Sequence, residues 1–405
     1  MAAGTSLLWV LRLPDVARTL VSSLLGRLPY TAIGLLMILR VREMGGSYAE
    51  GGLVVAAFAL ALAVGSPLVG RLVDRRGQTV VLMCCAVAAS VPLVAMALVP
   101  DGTPIALVAA LAALSGLVHP PLSGCMRALW STLTPDDDSR HAAFVLESSA
   151  LELTFVIGPV VLVGGLAVAT SPGVGLVACA LLLVGGTLAF ATTRSSRRWR
   201  PAAVAGDRSL AGALASPALL VLFVGVAFMG ASFGAIELAV TAFAEEEGSS
   251  GLAGPLLGAW AVGSLLGGLV AARAGASPQP ARRVLALLVA TAVADALLMA
   301  ATSPWVLALA LVLAGSFIAP AFATLYGMVP DLARPGTLTE SYTWLTTGIS
   351  VGAAAGSALA GVLVAAGSSR EGLAVAAALA ALGALSLIGG RHRLGGWGAS
   401  VAAAA

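Results

Sequence analysis

Twelve stretches of about 20 predominantly apolar residues recur along this 405-residue chain, each bounded by charge, proline or a glycine cluster. They fall near 19–39, 50–70, 79–99, 104–126, 142–169, 173–193, 216–240, 252–272, 283–302, 304–328, 340–366 and 371–390. A helix rises about 1.5 Å per residue, so each run is long enough to cross a hydrocarbon layer of about 30 Å. Barrel strands are about 10 residues long and alternate in polarity, so runs of this length exclude a β-barrel. Only 10% of residues are Asp, Glu, Lys or Arg, against roughly 25% in a soluble domain. That is too little charge for a water-facing surface, and lipid is the expected solvent for most of it.

The basic residues set the orientation. All are arginine, and 17 of the 22 fall on the side that carries both chain ends. Arg40, Arg42 and Arg370 fall on the other side, and Arg27 and Arg127 lie within or at helices. The positive-inside rule makes the arginine-rich side cytoplasmic, with both termini there. The run beginning near Thr19 leads into Arg40 and Arg42 rather than into a small-residue cleavage site, so it is expected to remain as helix 1.

Residues 194–215 form the longest polar stretch and carry RSSRRWRP. They divide the chain into a six-helix unit at 1–193, a cytoplasmic linker at 194–215 that lies on an anionic leaflet, and a six-helix unit at 216–405. The two units are related. GSPLVGRLVDRRG, from Gly65 to Gly77, aligns with GSLLGGLVAARAG, from Gly263 to Gly275, at an offset of 198. The same offset lays Gly158 on Gly356. One offset joining two helix pairs implies a parallel repeat about an axis along the membrane normal.

GRLVDRRG, from Gly70 to Gly77, resembles the signature loop of the major facilitator superfamily, G-x-x-x-D-R-x-G followed by two basic residues. Gly70, Asp74, Arg75 and Gly77 match; Gln78 and Thr79 replace the trailing basics. The resemblance covers nearly the whole chain and is closest to the bacterial drug:proton antiporter branch. It implies an all-α membrane protein of 12 transmembrane helices in two pseudo-symmetric six-helix bundles, a monomer in the bacterial inner membrane. It also implies that Asp74 docks against helix 11, here Thr337 to Tyr342, and holds the outward-facing state. Ala272 stands where the second copy would carry this acid, so the gate is expected to be asymmetric.

Helix 5 resembles the antiporter pattern G-x-x-x-G-P-x-x-G-G through Gly158 and Pro159. Thr154 replaces its first glycine, and Gly164 and Gly165 come two residues late. Proline removes a helical hydrogen bond and bends the helix, which favours export over import on this resemblance. The family's outer helix-4 arginine has no counterpart between Leu111 and Gly116.

Ionisable groups at bilayer depth are costly and need a reason, at roughly 2.5–3.5 kcal/mol each. Glu152 lies about 15 Å into helix 5 and Arg27 about 12 Å into helix 1. The two are expected to lie near one another or to face one cavity, with Glu152 carrying a proton. Glu147 sits about 140° around helix 5 from Glu152. It is read as structural, within reach of Arg127 or Arg140. Glu237, near the outer end of helix 7, is an outer-cavity or an interfacial acid. Asp295 lies in helix 9, a peripheral support in the family. His119, in the His119-Pro120-Pro121 break of helix 4, relays protons or bonds a carbonyl freed by the prolines. Tyr30, Phe155, Phe233, Trp260, Tyr326 and Trp344 are candidates to line an apolar pocket. Trp130 and Trp305 fall at expected membrane interfaces.

These features read as a proton-coupled exporter of a small apolar or cationic solute working by alternating access. An importer of a sugar, peptide or other metabolite and a transport-inactive sensor or scaffold remain alternatives. No G-x-x-x-x-G-K-[ST] loop is present for ATP, and no cofactor, metal centre or enzymatic chemistry is expected. With three histidines and a net charge of +3, neither a metal cluster nor a nucleic-acid footprint is expected.

Overall fold

The computed structural model describes residues 7–200 and 212–394. Its transmembrane helices follow in order. Helix 1 is Val16–Arg27 with Tyr30–Glu43, helix 2 Tyr48–Arg76, helix 3 Gln78–Leu98, and helix 4 Ile105–Leu117 with Leu122–Leu133. Helix 5 is Asp137–Gly158 continued by Pro159–Ala167, helix 6 Pro172–Ala191, helix 7 Pro217–Glu246, and helix 8 Ala253–Ala274. Helix 9 is Pro280–Leu298, helix 10 Pro304–Gly315 with Ile318–Leu332, helix 11 Leu338–Ala366, and helix 12 Ser369–Leu394. Eleven of these are long and apolar enough to cross a membrane. Helix 9 has the length, but Arg282, Arg283 and Asp295 raise its polarity. The expected linker lies partly outside the described residues. Its described parts are a short helix at Arg194–Arg198 and a turn at Gly212–Ala215.

Local chemistry sets the boundaries. Helix 2 opens on a capping box between Ser47 and Glu50. Helices 6, 7 and 10 each open on serine followed by proline. Ser171, Ser216 and Ser303 accept hydrogen bonds from the backbone of Val174, Leu219 and Val306. Proline then supplies the first helical φ where no N–H is needed. The breaks in helices 4 and 10, at 118–121 and 316–317, are one repeat offset apart. Pro29 breaks helix 1, a division absent from the sequence reading. At Pro159 helix 5 does not simply bend. It changes to π-helical winding through Ala167, because the proline has no N–H to continue the ladder.

The repeat is visible in the packing. Helix 2 crosses helix 4 where a Cβ on Gly65 would lie 1.9 Å from the Leu117 carbonyl oxygen. Helix 8 crosses helix 10 where a Cβ on Gly263 would lie 2.1 Å from the Val312 carbonyl oxygen. Gly158 touches helix 1 at Thr31, and its mate Gly356 touches helix 7 at Ala231. Lipid tails are as apolar as the side chains, so helices gain by approaching closely, and glycine permits this.

One expectation needs correction. The signature stretch is not a loop: Gly70, Asp74 and Arg75 belong to the last turns of helix 2, and the turn is Gly77 alone, at φ +90°.

Gly65→Ala and Gly263→Ala are each expected to lower the melting temperature of the detergent-solubilised chain, at an overpacking cost of about 1–3 kcal/mol. Gly185→Ala, whose Cβ meets nothing within 4 Å, is expected to leave it unchanged. Differential scanning fluorimetry checks all three.

Candidate functional site

Buried apolar side chains fall into three groups. One unites both halves at the arginine-rich end, joining Val73, Met126 and Phe144 to Leu219, Tyr326 and Tyr342. The second lies within the first half, around Ile33, Leu93 and Leu176, and the third within the second half, around Ile236, Leu298 and Leu373. The halves therefore share a buried core at the arginine-rich end, and beyond it each half packs around a core of its own.

The closed end is latched. Asp74 is buried and accepts the backbone N–H groups of Thr339 at 3.0 Å and Glu340 at 2.8 Å. These are free donors in the first turn of helix 11, where the helix dipole also favours a carboxylate. The expectation of a dock between Thr337 and Tyr342 matches this geometry. Gly70 lets the helices meet: its Cβ would lie 2.6 Å from the Thr343 hydroxyl oxygen. Arg71 forms a two-pronged pair with Glu340, at 2.7 and 3.1 Å. Glu340 also accepts the Ala213 N–H of the linker. Neither Arg71 nor Glu340 stood out in the sequence. The only signal was an acid in the first turn of a helix. Arg75 is exposed. Gln78, where the signature has a basic residue, is buried and donates to the Cys125 carbonyl at 3.1 Å. A charge there would have no solvent.

Above the latch lies a buried charge group. Arg27 pairs with Glu147 at 2.9 Å, Arg127 approaches the same carboxylate at 3.7 Å, and Trp130 donates to it at 2.7 Å. Arg127 also lies over the Tyr326 ring, 3.9 Å from its centroid, and donates to Thr346. The expected meeting of Arg27 with Glu152 is therefore corrected: Glu147 is the partner. The two acids point about 140° apart on helix 5, so the one facing helices 1 and 4 leaves the other facing away. Glu152 is half-buried and accepts from Ser264 of helix 8, across the divide between halves. Arg140 pairs instead with Asp137. Trp130 is corrected too, being fully buried rather than interfacial. Trp305 is exposed, as a membrane-interface residue would be.

The remaining candidates divide. Tyr30 and Phe155 are exposed. Phe233 packs edge-on against Trp260, centroids 5.1 Å apart. Glu237 lies one turn beyond Phe233, on the same side of helix 7, and is exposed. Tyr326 is 3% exposed in the shared core, so it belongs to the floor and not to the lining. Trp344 packs edge-on against Phe223 within the second half. His119 is buried against Tyr30 and Phe58. Its Nδ1 has no hydrogen-bond partner among the described atoms, so that nitrogen does not bond a freed carbonyl. Asp295 is buried and accepts from Ser232 of helix 7 at 2.7 Å.

Residues 19–294 match the family model described as Major Facilitator Superfamily. No curated protein sequence matches. Among solved structures, the human organic anion transporter MFSD10 (TETRAN) is similar at 18% identity and a TM-score of 0.73. The match covers 92% of this chain and 99% of that one. A bacterial homologue of the iron transporter ferroportin in its outward-facing state is similar at 15% identity and a TM-score of 0.72. There 93% of this chain and 99% of that one are covered. At these identities the likeness speaks for the fold alone.

Glu147→Gln is expected to strand Arg27 and Arg127 without a counter-charge and to cost about 3–5 kcal/mol. Adding Arg27→Gln to it is expected to recover part of that loss. Thermal unfolding of the single and double variants in detergent checks the order.

Proposed function

Because the chain belongs to the Major Facilitator Superfamily of membrane transporters, we propose that it exports a small apolar or cationic solute in exchange for protons, by alternating access. The observation that carries this reading is the latch that ties the two halves at their arginine-rich end, beyond which each half has a core of its own; in this reading a cleft between them opens at the other end. The units 1–193 and 216–405, tied by residues 194–215, rock about that cleft. The arginine-rich face is the cytoplasmic face of a bacterial inner membrane, and the chain works as a monomer.

Glu152 is the proton carrier in this reading. Two arginines and one carboxylate leave the buried charge group with a net charge of +1, and an ionised Glu152 balances it. A proton and a cationic solute therefore compete for the same acid, and competition for one acid is the simplest basis of exchange. Its hydrogen bond to Ser264 spans the two halves, so loading Glu152 changes a contact that must break when they move. In this reading the exposed Glu237, Tyr30 and Phe155 line the cleft and give it an acidic, apolar surface suited to such solutes. The π-helical segment after Pro159 places the change in winding directly beyond Glu152 on the same helix. Segments of this kind recur at functional sites.

Expression in an efflux-deficient bacterial host, screened against a panel of toxic compounds, tests the reading. The wild-type chain is expected to confer resistance and Asp74→Asn to lose at least about ten-fold of it, since the latch is built from charge-assisted hydrogen bonds. In everted vesicles Glu152→Gln is expected to abolish solute-driven proton release. Full proton coupling in Glu152→Gln would remove Glu152 as the carrier. Absence of any solute-driven proton movement in the wild type would remove the exchange itself.

A further inference from the structure

The repeat that makes the Asp74 latch predicts a second one. At the offset of 198, Gly77 corresponds to Gly275 and the helix 2–3 turn to the helix 8–9 turn. The first turn of helix 11 corresponds to the first turns of helix 5. The second site has Ala272 where an acid is needed, and on sequence alone it looks empty.

The structure supplies the acid from the opposite partner. Asp138, in the first turn of helix 5, accepts the backbone N–H of Ala276 in the helix 8–9 turn at 2.7 Å. Gly275 precedes it at φ +71°, and a Cβ there would lie 2.7 Å from the Asp138 carboxylate oxygen. Glycine is thus required both by the turn and by the close approach. Arg283 of helix 9 donates to the Gly275 carbonyl at 2.6 Å and fixes the turn for the contact. Helix 5 and the end of helix 8 are therefore tied at the position where helix 2 and helix 11 are tied in the other half, with donor and acceptor exchanged.

The two ties differ in strength. Asp74 is 2% exposed and accepts two N–H groups. Asp138 is exposed and accepts one. An exposed, singly bonded carboxylate is screened by water and salt, whereas a buried, doubly bonded one is not.

We propose that Asp138 is the second gating residue of the arginine-rich face, standing in for the acid missing at Ala272, and that its weaker latch releases before the Asp74 latch whenever that face opens. The proposal rests on the alternating-access reading, but not on the direction of transport, the proton or the solute.

Hydrogen–deuterium exchange of the full-length chain in lipid nanodiscs tests it, because the latched groups are backbone amides. The peptides to follow cover 274–277 and 337–342, as protection factors relative to free peptide. In the wild type the first is expected to be at least about ten-fold less protected than the second. Asp138→Ala is expected to lower protection at 274–277 by about five-fold, the loss of one modest hydrogen bond. It is expected to leave 337–342 within about two-fold. Asp74→Asn is expected to lower protection at both. Asp138→Asn keeps the side-chain shape and one acceptor, and should fall between wild type and Asp138→Ala. The melting temperature of each variant, read in parallel, separates gate opening from misfolding. Unchanged protection at 274–277 in Asp138→Ala overturns the proposal. So does equal loss at both peptides, or greater wild-type protection at 274–277. Failure of the resistance screen, with this pattern intact, would count against the exporter reading only.

Discussion

A buried carboxylate facing two backbone N–H groups without intrahelical partners holds the two halves together at their arginine-rich end. The first turn of any helix leaves donors without intrahelical partners, and at the closed end no water reaches those of helix 11. Asp74 satisfies two of them at once. Charge-assisted hydrogen bonds of this kind contribute about 1.5–3 kcal/mol each. Their loss as a pair changes an open–closed ratio by roughly a hundred-fold or more, at about 1.4 kcal/mol per factor of ten. The shared core and the Arg71–Glu340 pair stand on this contact, because each needs helices 2 and 11 held together. Gly70 is the steric condition for it, since any side chain there would push the helices apart.

Much of the fold was legible because lipid narrows the choices. Runs of about 20 apolar residues have one structural meaning in hydrocarbon, and the repeat offset read from Gly65 and Gly263 reappears as two equivalent helix crossings. Helix breaks were harder. His119-Pro120-Pro121 announced one, but the break at Ser316–Phe317 contains no proline and follows from the repeat. Pro29 was overlooked because the run around it stays apolar. The Asp74 dock was legible through the family motif, not through spacing.

Charge partners were not legible, and the reason is geometric. Sequence gives the depth of a side chain along its helix but not its azimuth relative to helices far away in the chain. Arg27 and Glu152 have matching depths, which made them look like partners. The structure rotates Glu147 towards Arg27 and Glu152 towards Ser264. The roughly 140° between the two acids already excluded one shared partner, but it left open which acid faced inward. Trp130 shows the same limit: its position near a helix end suggested the membrane interface, while its N–H is spent on the buried Glu147. Arg71 and Glu340 lie 269 residues apart, and nothing local marks either of them as the other's partner.

The asymmetry of the chain acquires a role when the repeat is taken seriously. Two halves with identical latches would part with no preferred order. Here the same turn and the same glycine serve both sites, but the acid was kept on helix 2 in one half and stands on helix 5 in the other. Helix 5 therefore carries three different duties along its length. Asp138 ties it to the helix 8–9 turn, Glu147 anchors it to the two buried arginines, and Glu152 joins it to Ser264 of the other half. Glu152 and Asp138 stand on one continuous helix, so the contact with Ser264 and the contact with the helix 8–9 turn share a single element. Helix 11, its partner in the repeat, meets the first half through Thr339, Glu340 and Thr343 at its arginine-rich end and continues unbroken to Ala366. Helix 5 also changes winding at Pro159, beyond Glu152, so its outer segment can adjust without disturbing the inner one.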